Sequence, residues 1–552
     1  MMPLRTLPLL SIAVVVALAA CTKKADPPPM PKTSEVAPTT VAVAEDQHGD
    51  DLIAWRRGDV DAAFAEAKAA NKPVFLYWGA AWCPPCNQMK ATLFRKREFV
   101  ERTQYFVPVY VDGDTPAAQK LGTRFSVSGY PTMVLFTPDG TEITRLPGEA
   151  DPERYLQVLA LGMNSARPVA ATLKTALGDG KGLTQDDWRM LAWYSWDTDD
   201  QQLVPTAKMP ATLQALAARC PAAFGDVKSR LVLKTAAAVG DEPAGRKAAG
   251  PVLDRKAALA QLESVLSKAA SARDNFDMLT NAMPEMVRAT TTAGSPERAR
   301  LVADADRALT QLAADTTLSN TDRLGATIAR VQLATIDVKS AGPNEKAAPV
   351  TLPEALRDAV KTEVGRADRE SKDPYERQTV VNAAAYLLTS AGMIDDSDAL
   401  LRAELTRSHS PYYFMLDLAS NAKKRGDKAA AIDWYAKAYD AAKGPATRLQ
   451  WGVTYVNALV DLSPDDASRI GDVATKVLGE VEPAPESFDG RNRRGLSRMA
   501  TKIAGWNKGN AHAEQATRIT EASRALCGKL AEGTPERVRC GELLKVGEGK
   551  KV

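Results

Sequence analysis

The segment Trp82-Cys83-Pro84-Pro85-Cys86 constrains this chain more than any other, because an apolar run, Val74-Phe75-Leu76-Tyr77-Trp78, precedes it and an amphipathic stretch follows. A strand leading into two cysteines at the start of a helix predicts an α/β unit with a thiol pair at its edge. Exposed backbone N–H groups and the positive end of the helix dipole favour the thiolate of Cys83. That thiolate is the expected nucleophile. Cys86, one turn further in, is placed to resolve a mixed disulfide by closing a short ring. Half of a zinc site has the same spacing but needs two further ligands. His48, His409 and His512 are far away in sequence, and Cys220, Cys527 and Cys540 form no second C-x-x-C. The pair therefore reads as a redox couple, and neither metal nor cofactor is expected.

Periodicity around this segment predicts a helix over Asp59–Ala70, a strand over Val74–Trp78, and the Cys83 helix running to about Val100. A strand (Tyr105–Asp112), a helix (Pro116–Phe125), a strand (Met133–Phe136), a Pro138-Asp139-Gly140 turn, a strand (Ile143–Leu146) and a helix (Asp151–Leu161) follow. This is the element order of a thioredoxin fold. WCPPC, with Gly129-Tyr130-Pro131-Thr132 ahead of a later strand, resembles the thioredoxin superfamily. Asn71-Lys72-Pro73-Val74, the Trp-Cys pair and the helix before the first strand are most similar to the periplasmic branch typified by the C-terminal domain of the reductase DsbD. The resemblance covers residues 51 to 161, under a quarter of the chain.

The resemblance implies a cis peptide at Pro131 beside the redox pair, with Tyr130 bordering a groove for a substrate strand. Trp82, Pro84 and Pro85 would complete that groove. It also exposes departures from the family. The position of the usual buried acid, six residues before the first cysteine, is Tyr77, and that of its lysine partner is Pro108. The acid often found two residues before that cysteine is Ala81. Deprotonation of Cys86 must then rely on water or another base. Pro108, lacking an N–H, suits an edge strand.

The N-terminus reads as a targeting signal: Arg5 supplies a positive region, Leu7–Ala19 an apolar core, and Leu18-Ala19-Ala20-Cys21 resembles a bacterial lipobox. The apolar run is shorter than the ~20 residues of a spanning helix. Residues 1–20 are the expected leader and Cys21 the lipidated first mature residue. Thr22, by family resemblance, points to the outer membrane. Residues 21–50, with Lys23-Lys24 and Pro27-Pro28-Pro29-Met30-Pro31, read as a semi-extended tether. In such an oxidising compartment Cys527 and Cys540, flanking a Gly-Pro connection between two short helices, read as a structural disulfide. Cys220 reads as a small buried hydrophobe.

The 552 residues exceed one domain, and a net charge of +3 gives no support for nucleic-acid binding. Beyond residues 51–162 the pattern is all-α: a helical domain over 163–345, tetratricopeptide-like repeats over 346–482, and C-terminal helices over 483–552. The repeat rests on spacings of 34 residues, Gly392 to Gly426, Pro411 to Pro445, Leu401 to Tyr435 and Leu405 to Tyr439. A third, imperfect repeat spans Gln450–Leu462 and Pro464–Leu478. Trp434, Tyr435 and Tyr439 read as interhelical core, as do Trp188, Trp193, Tyr194 and Trp196, with Thr184 as an N-cap. Arg491, Arg493 and Arg494 read as solvated charges in a Pro/Gly-bounded loop.

The expected function is thiol–disulfide exchange at the periplasmic face of the envelope, with reduction or isomerisation favoured by the resemblance. Its partners would be cysteine-containing envelope proteins, a separate electron donor or acceptor, and the membrane through the lipid. The alternative is a scaffold or chaperone-like lipoprotein whose helical part does the binding and whose redox role is minor.

Overall fold

The structure, a computed structural model, describes residues 52–148, 151–165, 167–199, 202–241, 253–338 and 349–544. The leader, Cys21, the tether and the Ala341-Gly342-Pro343 break lie outside them. Five strands, β1 (Arg56–Arg57), β2 (Val74–Gly79), β3 (Val107–Asp112), β4 (Thr132–Phe136) and β5 (Glu142–Leu146), form one sheet in the order β1-β3-β2-β4-β5. β1, β3 and β2 are parallel, and β4 and β5 antiparallel. Central β2 is covered on both faces, which is why it reads as an unbroken apolar run. Its alternation sends Val74, Leu76 and Trp78 into a core shared with α1 (Val60–Ala70) and α4 (Pro116–Arg124). Phe75 and Tyr77 face the opposite layer, which holds α2 (Pro84–Ala91), α3 (Arg97–Arg102) and α5 (Pro152–Met163).

Two local expectations are corrected. The helix after Cys83 does not run to Val100: it stops at Ala91, and a 3-10 turn at Leu93–Arg95 separates it from α3. Thr92 Oγ1 donates to Gln88 O at 2.7 Å, a back-bond that bends a helix at its end. β3 is not the edge, yet Pro108 still meets no conflict. Val107 N and Gly113 N donate to the β2 side, so the alternate position, Pro108, faces β1, which pairs only with Val109 and Tyr110.

After α5 the described chain is predominantly helical. Its first part shares a core with the sheet: Phe75, Leu135 and Tyr155 join Leu173, Trp188, Tyr194, Leu216 and Leu231 in one buried cluster. Thr184 caps α6 (Gln185–Trp193) in a capping box, its Oγ1 accepting from Asp187 N at 3.2 Å while Thr184 N donates to Asp187 at 2.8 Å. Arg145 of β5 is wholly buried, donating to Ser126 O and Thr198 O at 2.7 Å and to Phe125 O at 2.9 Å.

The later helices include α7 (Asn320–Ala334), α8 (Pro374–Ser390), α9 (Ile394–Glu404), α10 (Pro411–Arg425), α11 (Lys428–Ala441), α12 (Pro445–Leu462) and α13 (Ala467–Gly479). Pro411 and Pro445 each open a helix, and Gly392 and Gly426 both take positive φ between helices. Arg491, Arg493 and Arg494 lie not in a loop but in α14 (Gly490–Trp506). α15 (Ala513–Gly528) and α16 (Pro535–Leu543) are joined by a Cys527–Cys540 disulfide, Cα atoms 5.6 Å apart. Among the described residues no helix is long and apolar enough to cross a membrane.

Candidate redox site

β2 delivers the chain to the end of the sheet, and Cys83 is the N-cap of α2. Its Sγ accepts the Cys86 N–H at 3.2 Å, one of the donors that a helix start leaves without an intrahelical partner. Pro84 follows at the first helical position, where an absent N–H costs nothing. Cys83 and Cys86 are joined as a disulfide, Cα atoms 5.2 Å apart. Asn87 Nδ2 reaches back to Ala81 O at 3.0 Å and holds the loop that carries Trp82. Across the sheet's end the Tyr130–Pro131 peptide is cis, Tyr130 OH donates to Gly113 O at 3.1 Å, and Thr132 Oγ1 closes the turn onto Gly129 O at 2.7 Å. Trp82 and Tyr130 rings meet at 6.4 Å.

The site is covered, which the sequence did not suggest. Cys83 is 2% exposed and Cys86 wholly buried. They share an apolar cluster with Tyr412, Tyr413, Leu416, Ala438, Ala442 and Trp451 from α10, α11, the link after it and α12. Arg491 of α14 lays its guanidinium over Trp82 at 5.1 Å and over Tyr130 at 4.8 Å, a cation–π contact rather than a solvated charge. The neighbouring Arg494 donates to Ser128 O at 3.2 Å. On the flank of α2, Thr379 of α8 donates to Pro84 O at 2.6 Å, and the His409 ring donates to Ala81 O at 3.0 Å. None of these contacts has a signal near WCPPC, because each arises hundreds of residues away.

Tyr77 cannot stand in for the family's acid. Its hydroxyl is buried with no hydrogen-bond partner among the described residues, and burial holds its pKa well above the ordinary tyrosine value. Its cross-strand partner is Tyr110, while Pro108 lies opposite Phe75. The carboxyls near the cover belong to other elements. Burial pushes Asp114 up to about 6, against two opposing hydrogen bonds from Thr447, and pushes Asp417 of α10 up to about 7, against one from Asn382. Cys220 is buried, outside the site, and unpaired with any described cysteine.

A disulfide at a helix N-cap, across from a cis proline at the end of a thioredoxin-type sheet, is the active-site arrangement of a thiol–disulfide oxidoreductase. The thioredoxin-like domain family matches residues 60–162. The thiol:disulfide interchange protein DsbD 1 of Pseudomonas aeruginosa is 33% identical over 100 residues, 17% of this chain and 16% of that protein. A thioredoxin of Mycobacterium bovis is 31% identical over 101 residues, 18% of this chain and 83% of that protein. The solution structure of a thioredoxin from Thermus thermophilus is 30% identical, covering 20% of this chain and 86% of the other, with a TM-score of 0.18. The chain spans between 16% and 19% of the length of the DsbD proteins it matches. Through this segment the chain belongs to the thioredoxin family.

Proposed function

We propose that the protein is an envelope thiol–disulfide oxidoreductase acting on protein substrates, with reduction or isomerisation its working direction. The observation that carries this is the Cys83–Cys86 pair at the N-cap of α2, with Pro131 opposite. In the reduced form Cys83 thiolate attacks a substrate disulfide: the substrate S–S bond breaks, a Cys83–substrate bond forms, and the departing sulfur leaves as thiolate. Cys86 then loses its proton to water, since Tyr77 holds its own, and attacks Cys83 Sγ. The second substrate thiolate leaves, two electrons have passed to the substrate, and Cys83–Cys86 is again a disulfide. A donor dithiol must reduce it before the next cycle.

The DsbD likeness supports the periplasmic side of the envelope as its place. The Leu18-Ala19-Ala20-Cys21 motif supports anchoring by a lipid on Cys21, at the outer membrane. Cys21→Ala should move the protein from the membrane fraction to the soluble one, and retention in membranes defeats the anchor. Residues 346–482 we read as tetratricopeptide-like, on the 34-residue equivalence of Gly392 with Gly426 and Pro411 with Pro445. Domain limits follow as 51–162, 163–345, 346–482 and 483–552.

Two observations favour the scaffold alternative: the helical region buries the redox pair, and the family's acid is absent. Insulin reduction separates the two readings. An oxidoreductase accelerates precipitation of insulin B chain above the rate with dithiothreitol alone; a scaffold leaves that rate unchanged.

A further inference from the structure

The redox helix meets the helical region through two faces of different character. Along its flank the contacts are polar and matched: Thr379 donates to Pro84 O at 2.6 Å, and Gln88 Nε2 donates to Asp322 at 2.9 Å. Arg95, in the turn beyond, pairs with Asp373 at 2.8 Å. Over the tip the contact is aromatic. Tyr413 lies nearly parallel to Trp82, centroids 5.9 Å apart at 17°, and Trp451 meets Trp82 edge-on at 5.7 Å. Two indole N–H groups, Trp82 Nε1 and Trp451 Nε1, are buried there with no hydrogen-bond partner among the described residues. A donor withdrawn from water without an acceptor is unfavourable. Closing the tip therefore carries a penalty, and parting it returns both donors to water.

Place matters as much as energy. Tyr413 and Trp451 stand against Trp82, beside Tyr130, where a substrate strand must lie to bring its sulfur to Cys83. With Cys83 2% exposed, no protein disulfide reaches it in this form. We infer that the aromatic face of α10 and α12 is an intramolecular cap occupying the substrate groove, and that protein disulfides react only once it has parted from Trp82 and Tyr130. This rests on the oxidoreductase reading. A polar latch pins the cap to the thioredoxin fold: Asp114, in the loop after β3, accepts from Thr447 N and Thr447 Oγ1, both at 2.6 Å, and through its carbonyl from Ala446 N at 3.3 Å, at the first turn of α12. Gly444 takes positive φ and passes so close that a Cβ there would overlap Asp114 Oδ2, so a side chain at 444 strains the turn and displaces the latch carboxylate.

The test uses the full chain, reduced, with two readouts: alkylation of Cys83 by iodoacetamide, located by peptide mapping, and insulin reduction. In the wild type, Cys83 should alkylate at least a hundredfold more slowly than in the same chain unfolded by denaturant. Tyr413→Ala/Trp451→Ala, which removes the cover, and Gly444→Leu, which wedges the latch, should each raise alkylation and insulin reduction at least fivefold. The wild-type measurement needs no variant, so it decides even where both variants fail to fold. Wild-type Cys83 that alkylates within tenfold of the unfolded rate overturns the cap, as do folded variants with unchanged rates. If alkylation rises in the variants while no form reduces insulin, the cap stands and the oxidoreductase reading falls.

Discussion

Cys83–Cys86 and Cys527–Cys540 are bonded pairs with nearly the same Cα separation, 5.2 and 5.6 Å, and their surroundings give them opposite characters. The first closes a three-residue step at a helix N-cap, where its Sγ accepts a backbone N–H and the helix dipole favours a thiolate. The second ties residues thirteen apart across two helices, packed among Leu526, Leu530 and Leu544. A disulfide's geometry says little about its work. The dipole, donors and strand ends aimed at the sulfur decide whether it exchanges or clamps.

The widest split between the pairs should appear on breaking the first. Cys83→Ser should bring insulin reduction down to background, whereas Cys86→Ser should trap covalent adducts that run as heavier, thiol-sensitive bands, because only the resolving step is lost. Adducts on Cys83→Ser instead would reverse the assigned roles. Breaking the second pair tests the clamp: Cys527→Ser/Cys540→Ser should cost about 3 kcal/mol in the chain-entropy estimate for a loop of this length. Thermal unfolding should report that loss while insulin reduction stays within twofold of wild type. Peptide mapping of oxidised protein that finds either residue free, or paired with Cys220, contradicts the assignment.

The smallest effect belongs to Cys220, the unpaired reference for both. Burial pushes its thiol up to about 11 from an ordinary 9, so the folded state favours the protonated form and pays nothing for it at neutral pH. That thiol should destabilise the fold only as pH rises past 9, and Cys220→Ala should shift stability by about 1 kcal/mol. At pH 8 its alkylation should track global unfolding. Fast labelling in the native protein would show it to be a third reactive sulfur.

How much was legible follows from the range over which each signal acts. WCPPC, the cis-proline segment and the alternation of β2 are local, and they placed the redox pair and the fold around it. The break after Ala91 was missed because Thr92 reads as an ordinary helical residue until its hydroxyl bonds back to Gln88. Arg491 was misread for a related reason. Pro485 and Gly490 signal a loop, yet Gly490 takes positive φ and begins α14, and its neighbour Arg491 then lies on Trp82. The cover over Cys83 was not legible at all. Tyr413 and Trp451 fit a helical-repeat core, and no pattern within a helix says which of its faces will meet a strand end more than three hundred residues earlier.

Arg145 bears on how this protein could be taken apart. Its guanidinium fastens the segment ahead of the cis proline, through Phe125 O and Ser126 O, to Thr198 O, which belongs to the helical part. The same apolar cluster runs from β2 to Leu231 without a seam. A fragment cut at the sequence boundary near residue 162 would strip that cluster of Trp188, Tyr194 and Leu216 and take Thr198 O from Arg145, which keeps Phe125 O, Ser126 O and Glu142. The 51–162 domain thus leans on its neighbour, and a shortened protein carried as far as Leu231 should keep its sheet better than one that ends at 162.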